Sequence, residues 1–380
     1  MTEKREIRIG LLGFGFMGKT HAFAVSNLPY YCGVLPFHAQ VYGVATRSLD
    51  KSMAVAAEFG IPLAVDSEDA LINCPDIDVI DICTPNFLHA DTVRRALAAG
   101  KHILCEKPLA DDLSKAEEMA SLAAGSDCIC SVLFNNRHLS AVRRAKQLIE
   151  EGRLGRILSF DFRYLHNSCT DTAKKAGWKQ IADICGKGGV LLDLGSHIID
   201  LAVFLCGKFS KVTAKSQIAF PTRTGMDGSE WKTDAPEAFY ILAETESGAH
   251  GSLTASKLAV GTNDDLEFAI YGTKGSLRFS LMEPNYLEFY DADVAHEPYG
   301  GFGGFTRIEC AGRYPAPAGS FPSPKAAQGW LRGHVMGIYT FLNSVYMGKQ
   351  DAPTFADGAY VQRIMDAALA SDADGTEKAV

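Results

Sequence analysis

Ile7-Arg8-Ile9-Gly10-Leu11-Leu12-Gly13-Phe14-Gly15-Phe16-Met17-Gly18 is the stretch that decides the fold. Ile7–Leu12 reads as a buried strand, and a G-x-G-x-x-G follows it directly and opens a helix expected over Met17–Leu28. Gly13 permits the tight turn, Gly15 lets the backbone approach a pyrophosphate, and Gly18 allows close helix–strand packing. The helix start then presents free N–H groups and a positive dipole end to the phosphates. Phe14, Phe16 and Met17 share this loop and are counted with it as dinucleotide contacts. A Gly-rich turn alone would be weak evidence. At the first strand of an alternating region it predicts a dinucleotide site.

The alternation continues outward. Gln40–Thr46, Val79–Thr84, His102–Cys105 and Cys128–Phe134 read as strands. Between them lie a helix capped by Ser48, a helix over His89–Ala99, and one expected to start at a Ser114/Glu117 capping box. This order predicts a parallel, doubly wound sheet. The pattern then changes. Ile157–His166 is a long strand, and Val190–Leu205 a buried helix stopped by Gly207. Strands follow in series over Val212–Phe220, Glu237–Glu244, His250–Leu258, Leu266–Tyr271, Ser276–Leu281 and Tyr286–Tyr290. Short turns between them predict an antiparallel sheet. The expected class is therefore α/β plus α+β. A Rossmann domain over 1–130 precedes a substrate-binding and oligomerisation domain over 131–380, with a large, mostly antiparallel open-faced sheet. Gly300–Pro324 is expected as a surface loop, helices over Gly329–Met347 and Ala356–Ala370 close the second domain, and the tail after Asp372 should fray.

Composition narrows the function. At 380 residues with 47% hydrophobic content, the chain can bury a large core without staples. Its net charge of −8 argues against a nucleic-acid partner. No apolar run reaches the roughly 18 residues of a membrane span, and the N-terminus has no signal-like apolar region. Cysteines scattered through apolar stretches suit free thiols in a reducing, cytoplasmic setting. Cys128 and Cys130 would share one strand face, but without a further ligand nearby they read as core rather than metal, and no metal is expected.

The second strand ends Ala45-Thr46-Arg47-Ser48, without the acidic residue that usually takes the ribose hydroxyls of NAD. Thr46 and Arg47 offer donors for a 2′-phosphate instead, a lean toward NADP that leaves the choice of NAD(P) open. Asp193 and His197 lie four apart on the apolar helix, hence on one face. Buried polar groups need partners, so the pair is either a satisfied core pair or an acid–base site.

Three blocks carry a resemblance to a known family. Cys105-Glu106-Lys107-Pro108, Thr84-Pro85-Asn86 with His89, and Gly188-Gly189-Val190-Leu191-Leu192-Asp193-Leu194-Gly195-Ser196-His197 are similar to signatures of the Gfo/Idh/MocA oxidoreductases (glucose–fructose oxidoreductase, inositol dehydrogenase, rhizopine catabolism). The resemblance implies Lys107, Asp193 and His197 as catalytic residues, and a sugar, polyol or glycoside as substrate. It places Thr84, Pro85, Asn86, His89, Glu106 and Trp178 near the cofactor. Glu106 is also read as positioning its loop, and Asp200 as structural. Asn135, Arg137, Arg163, Tyr164 and His166 are the candidates for sugar contacts. The implied reaction moves hydride between nicotinamide and a secondary hydroxyl, C3 of a glucoside being one such position. His197 would take the proton and Lys107 would stabilise the oxyanion. Two rivals are a glycoside hydrolase that retains NAD and works through a transient keto sugar, and a non-catalytic dinucleotide sensor. A homodimer or homotetramer is expected through an exposed apolar face of the second sheet.

Overall fold

A computed structural model describes residues 4–173, 175, 181–182, 186–225, 227–351 and 353–380. The chain divides into two compact units, and the division is not a single cut near residue 130. The first unit is Met1–His138 together with Gly312–Ala326 and Trp330–Tyr360; the second is Leu139–Ala311, Ala327–Gly329 and Val361–Val380.

In the first unit, strands β1 (Arg5–Leu12), β2 (Phe37–Ala45), β3 (Leu63–Val65), β4 (Val79–Ile82), β5 (His102–Cys105) and β6 (Cys130–Val132) form one sheet. Its order is β3-β2-β1-β4-β5-β6, parallel throughout. The order reverses between β1 and β4, the switch point at which open α/β sheets bind ligands. Helices α1 (Phe16–Cys32), α2 (Leu49–Phe59), α3 (Glu68–Ile72), α4 (His89–Ala98) and α5 (Leu113–Ala124) connect the strands. Ser48 caps α2 as expected, accepting from Lys51 N–H. The cap of α5 is Asp112, two residues before the expected Ser114, because its carboxylate already accepts from Lys115 N–H. β3 and α3 escape the sequence reading, since three and five residues are too short to show a period.

The second unit opens with α6 (Ser140–Glu150), which the sequence reading passed over although its buried Ala141, Val142, Ala145 and Leu148 keep a helical spacing. Strand β7 (Ile157–Leu165) follows, then α7 (Ser196–Cys206). The remaining strands are β8 (Phe209–Gln217), β9 (Thr222–Thr224), β10 (Glu230–Lys232), β11 (Ala238–Thr245), β12 (His250–Ser256), β13 (Asp265–Gly272), β14 (Gly275–Ser280), β15 (Tyr286–Asp291), β16 (Phe305–Glu309) and β17 (Lys378–Ala379). Nine of the strands in this unit make one sheet, β16-β15-β14-β13-β7-β12-β11-β8-β17, antiparallel except where β7 meets β12. Its inner face is apolar, with Phe160, Phe162, Phe239, Ile241, Leu253, Phe268 and Ile270 all buried.

The outward face is only partly the apolar surface expected. It mixes exposed Tyr240, Leu242 and Tyr271 with polar groups: Arg163 bonds Asp161 at 2.7 Å, and Ser252 bonds the other Asp161 oxygen at 2.5 Å. The loop expected over Gly300–Pro324 contains β16, paired with β15. The tail does not fray. Ser371 and Asp372 accept from Ala214 N–H and Ser216 N–H, each at 2.9 Å, and Lys378–Ala379 then add to the β8 edge.

The last two helices are α8 (Leu331–Met347) and α9 (Phe355–Asp374). Helix α8, expected in the second domain, belongs to the first unit. Its Val335, Ile338, Phe341, Leu342 and Val345 pack in one core cluster with Ile7, Ile9, Val25 and Leu28 of the first unit. Among the described residues no helix is long and apolar enough to cross a membrane.

Candidate active site

Around the G-x-G-x-x-G, each glycine answers a different local demand. Gly13 has φ 87°, and a Cβ there would meet Cys83 O at 2.8 Å. A Cβ on Gly18 would meet Gly13 O at 2.1 Å. On Gly15 it would meet nothing within 4 Å, so that backbone faces open space. No side chain caps α1. Its first N–H groups are thus available to an anion, which is the chemistry of a pyrophosphate site. Nearby, the Thr84 hydroxyl is buried with no hydrogen-bond partner. The cradle therefore fits a dinucleotide.

Phe14 is buried against Phe59, whereas Phe16 is exposed and stacks on Trp330 with ring centroids 5.6 Å apart. Thr46 spends its hydroxyl locally, donating to Ser48 O and meeting Ser52 Oγ, both at 3.1 Å. Arg47, one residue on, is exposed. His89 is buried. Its ring nitrogens lie 3.1 Å from Leu109 O and 3.0 Å from Thr84 O, which braces the Thr84-Pro85-Asn86 segment against the chain after Pro108. Burial lowers the pKa of His89, so its neutral ring donates to one carbonyl only.

Beneath the cradle lies a charged network that sequence reasoning missed. His21, on α1, is fully buried. Its Nδ1 is 2.9 Å from both carboxylate oxygens of Asp81 on β4, and its Nε2 is 3.0 Å from Glu106 Oε1 after β5. Glu106 Oε2 accepts the N–H of Lys107 at 3.1 Å. Burial alone would lower the pKa of the His21 ring, but the Asp81 charge and hydrogen bond raise it well above 6.5. Burial would likewise raise Glu106, and the His21 hydrogen bond and charge hold it below 4.5 instead. Cys83 Sγ is 3.3 Å from His21 Nδ1, and burial beside Asp81 pushes that thiol up to about 12. Donor atoms of His21, Asp81 and Cys83 lie within 4.8 Å of one another, a spacing that a cation would accept. A doubly protonated imidazole has no lone pair to give one, so these distances read as hydrogen bonds.

Asn135 and Arg137 are buried in the first unit, and Arg137 faces Asp357 at 3.4 Å. The rest of the predicted site is in the second unit. Gly189 (φ 48°), where a Cβ would meet Pro236 O at 2.6 Å, leads into the helix. That helix is not continuous. Leu191–Gly195 is a π-helical turn, with Ser196 N–H bonding back to Leu191 O, and α7 begins after it. Such turns cluster at functional sites. Asp193 reaches Lys257 Nζ at 2.8 Å. His197, 8% exposed, meets the ring of Tyr164 edge-on at 5.6 Å. Tyr164 donates to Asp264 at 2.7 Å, and His166 Nε2 lies 2.8 Å from the same oxygen. Burial and the Asp264 charge push the Tyr164 phenol up. Asp264 was missed, and Lys257, one residue before the end of the strand expected over His250–Leu258, was given no role in the site. Arg163 leaves the set: one residue from Tyr164 on a strand, it points to the outward face. Asp200 is buried on α7. Trp178 lies outside the described residues.

Two family models match. Residues 7–134 match the oxidoreductase family with NAD-binding Rossmann fold, and 142–278 match the GFO/IDH/MocA C-terminal domain. The chain is 32% identical to levoglucosan dehydrogenase of Pseudarthrobacter phenanthrenivorans over 97% of each chain. A solved complex of levoglucosan dehydrogenase with NADH and levoglucosan superposes with TM-score 0.94 at 32% identity, covering 99% of this chain and 100% of that one. Inositol 2-dehydrogenase of Rhizobium meliloti is 27% identical over 97% of each chain. Glucose-6-phosphate 3-dehydrogenase of Bacillus subtilis is 24% identical over 98% of each.

Proposed function

The chain belongs to the Gfo/Idh/MocA oxidoreductases, and we propose on that basis that it oxidises one ring hydroxyl of a glucose-type sugar or glycoside, at C3. It is an NAD(P)-dependent sugar and polyol oxidoreductase. The observation that carries the finer reading is the polar set on an otherwise apolar helix: Asp193 paired with Lys257, and His197 against Tyr164. The names of the levoglucosan and glucose-6-phosphate 3-dehydrogenases support a glucose-like ring.

Bound nicotinamide supplies the hydride acceptor, or the donor in reverse. Lys107 places a positive charge at the reacting oxygen, where it stabilises an alkoxide or polarises a carbonyl. His197 takes the hydroxyl proton. Asp193, paired with Lys257, orients the sugar by accepting from its hydroxyls. Tyr164 and His166, tied together through Asp264, offer further hydroxyl contacts. A homo-oligomer through the outward face of the large sheet and a cytoplasmic setting belong to the same proposal. Exposed Tyr240, Leu242 and Tyr271 support the first, and free thiols at all described cysteines support the second.

The test is turnover with glucose-type sugars and glycosides, following nicotinamide absorbance with both coenzymes. Lys107→Met should lose about 10²- to 10³-fold in kcat with coenzyme affinity retained. His197→Asn should lose about 10²- to 10⁴-fold in kcat. Full activity in either variant removes that residue from the chemistry. Glycoside cleavage without net nicotinamide reduction would point to the hydrolase instead.

A further inference from the structure

A charged triad buried this deeply is expensive. Well-packed apolar side chains at such sites are often equally stable or more so. The triad also sits in one particular place. His21 belongs to the helix whose N-terminus faces the pyrophosphate cradle, Asp81 to the strand leading into Thr84-Pro85-Asn86, and Glu106 to the strand end that carries Lys107. Both carboxylates only accept hydrogen bonds, so both ring nitrogens of His21 must donate. Glu106 divides its two oxygens: Oε1 takes His21 Nε2–H, and Oε2 takes Lys107 N–H. Releasing the first bond frees the carboxylate to rotate and unties the second.

We propose that His21 is a positioning residue, a doubly donating imidazolium that fixes Lys107 through Glu106 and ties its strand end to the dinucleotide helix. The inference rests on Lys107 acting at the reacting oxygen. The groups facing His21 are Asp81 and Cys83 from the β4 side, Glu106 and Lys107 from the β5 end, and His334 from α8. Cys83 and His334 are both held neutral, the latter at about 3 by burial, so two carboxylates keep His21 charged, and Asp81, which meets the ring with both oxygens, is the larger influence beside Glu106.

Two variants test this. His21→Gln donates to one carboxylate only. It should lower kcat about 10- to 100-fold, as small misplacements of catalytic groups do, while the Kd for NAD measured by fluorescence stays within about threefold. Asp81→Asn leaves the ring in place but withdraws the larger of the two charges that hold its proton. Its kcat should then gain a limb in the neutral pH range, above which activity falls, and that limb should be missing from the wild type. A kcat in His21→Gln within about twofold of the wild type overturns the inference. So does a loss of kcat that only parallels loss of folded protein and NAD affinity. Should His21→Gln fail to fold, Asp81→Asn decides, and a pH profile superimposable on the wild type overturns it. Lys107→Met, run alongside, separates the two readings. Inactive Lys107→Met with normal His21→Gln defeats this inference alone, whereas active Lys107→Met defeats the role of Lys107 beneath it.

Discussion

His334 lies under the indole of Trp330, ring centroids 4.2 Å apart, with both ring nitrogens buried and unpaired. Burial lowers its pKa from 6.5 to about 3, with His21 and Lys107 adding to the effect against Glu106. The unfolded chain therefore binds a proton that the folded chain refuses between those values, so stability rises with pH across that window. Within it, each pH unit of acidification should cost about 1.4 kcal/mol. His21 has the opposite sign. Its raised pKa gives stability that is complete below 6.5 and is lost only as pH rises through the folded value. Urea unfolding of the wild type from neutral pH to about pH 4 should show the acid slope, and His334→Phe should flatten it. An unchanged slope in that variant would place the proton uptake elsewhere, with His89, whose pKa burial also lowers from 6.5, the next candidate.

The glycine loop separates two demands within one element. Gly15→Ala adds a methyl to open space, so it should leave the melting temperature nearly unchanged while weakening NAD at least about tenfold, because the methyl occupies the phosphate approach. Gly18→Ala drives a methyl into Gly13 O and should cost about 1–3 kcal/mol of stability, the range for overpacking. Equal effects of the two on stability would contradict the assignment. This loop was legible in the sequence because its chemistry is local. Lys107, Asp193 and His197 were legible as a set only through the family resemblance. His21, Lys257 and Asp264 were not, because each gains its meaning from a partner far along the chain: Glu106 for His21, Asp193 for Lys257, Tyr164 for Asp264. The π-helical turn at Leu191–Gly195 was hidden for a related reason. Its residues are as apolar as those of a regular helix, so the hydrophobic pattern runs through it unbroken.

At the scale of the molecule, the proposed association runs through the outward sheet face. Leu242 is 65% exposed on β11, beside Tyr240 on the same face. Leu242→Glu should therefore shift the mass measured by light scattering toward the single chain without changing the far-UV spectrum, and an unchanged mass would move the interface elsewhere. The first unit carries a different consequence. Its core is finished by Val335, Met336, Ile338, Phe341, Leu342 and Val345, which enter from α8. At about 1.5–3 kcal/mol for each buried side chain, these contribute as much as the whole net stability of a typical domain. A ribosome makes residues 1–138 long before it makes α8. The half that grips the coenzyme must therefore wait, with an apolar flank exposed, until nearly all of the chain has been translated. The nascent protein would lean on a holding chaperone for that interval, and an early stop codon would leave nothing able to bind NAD.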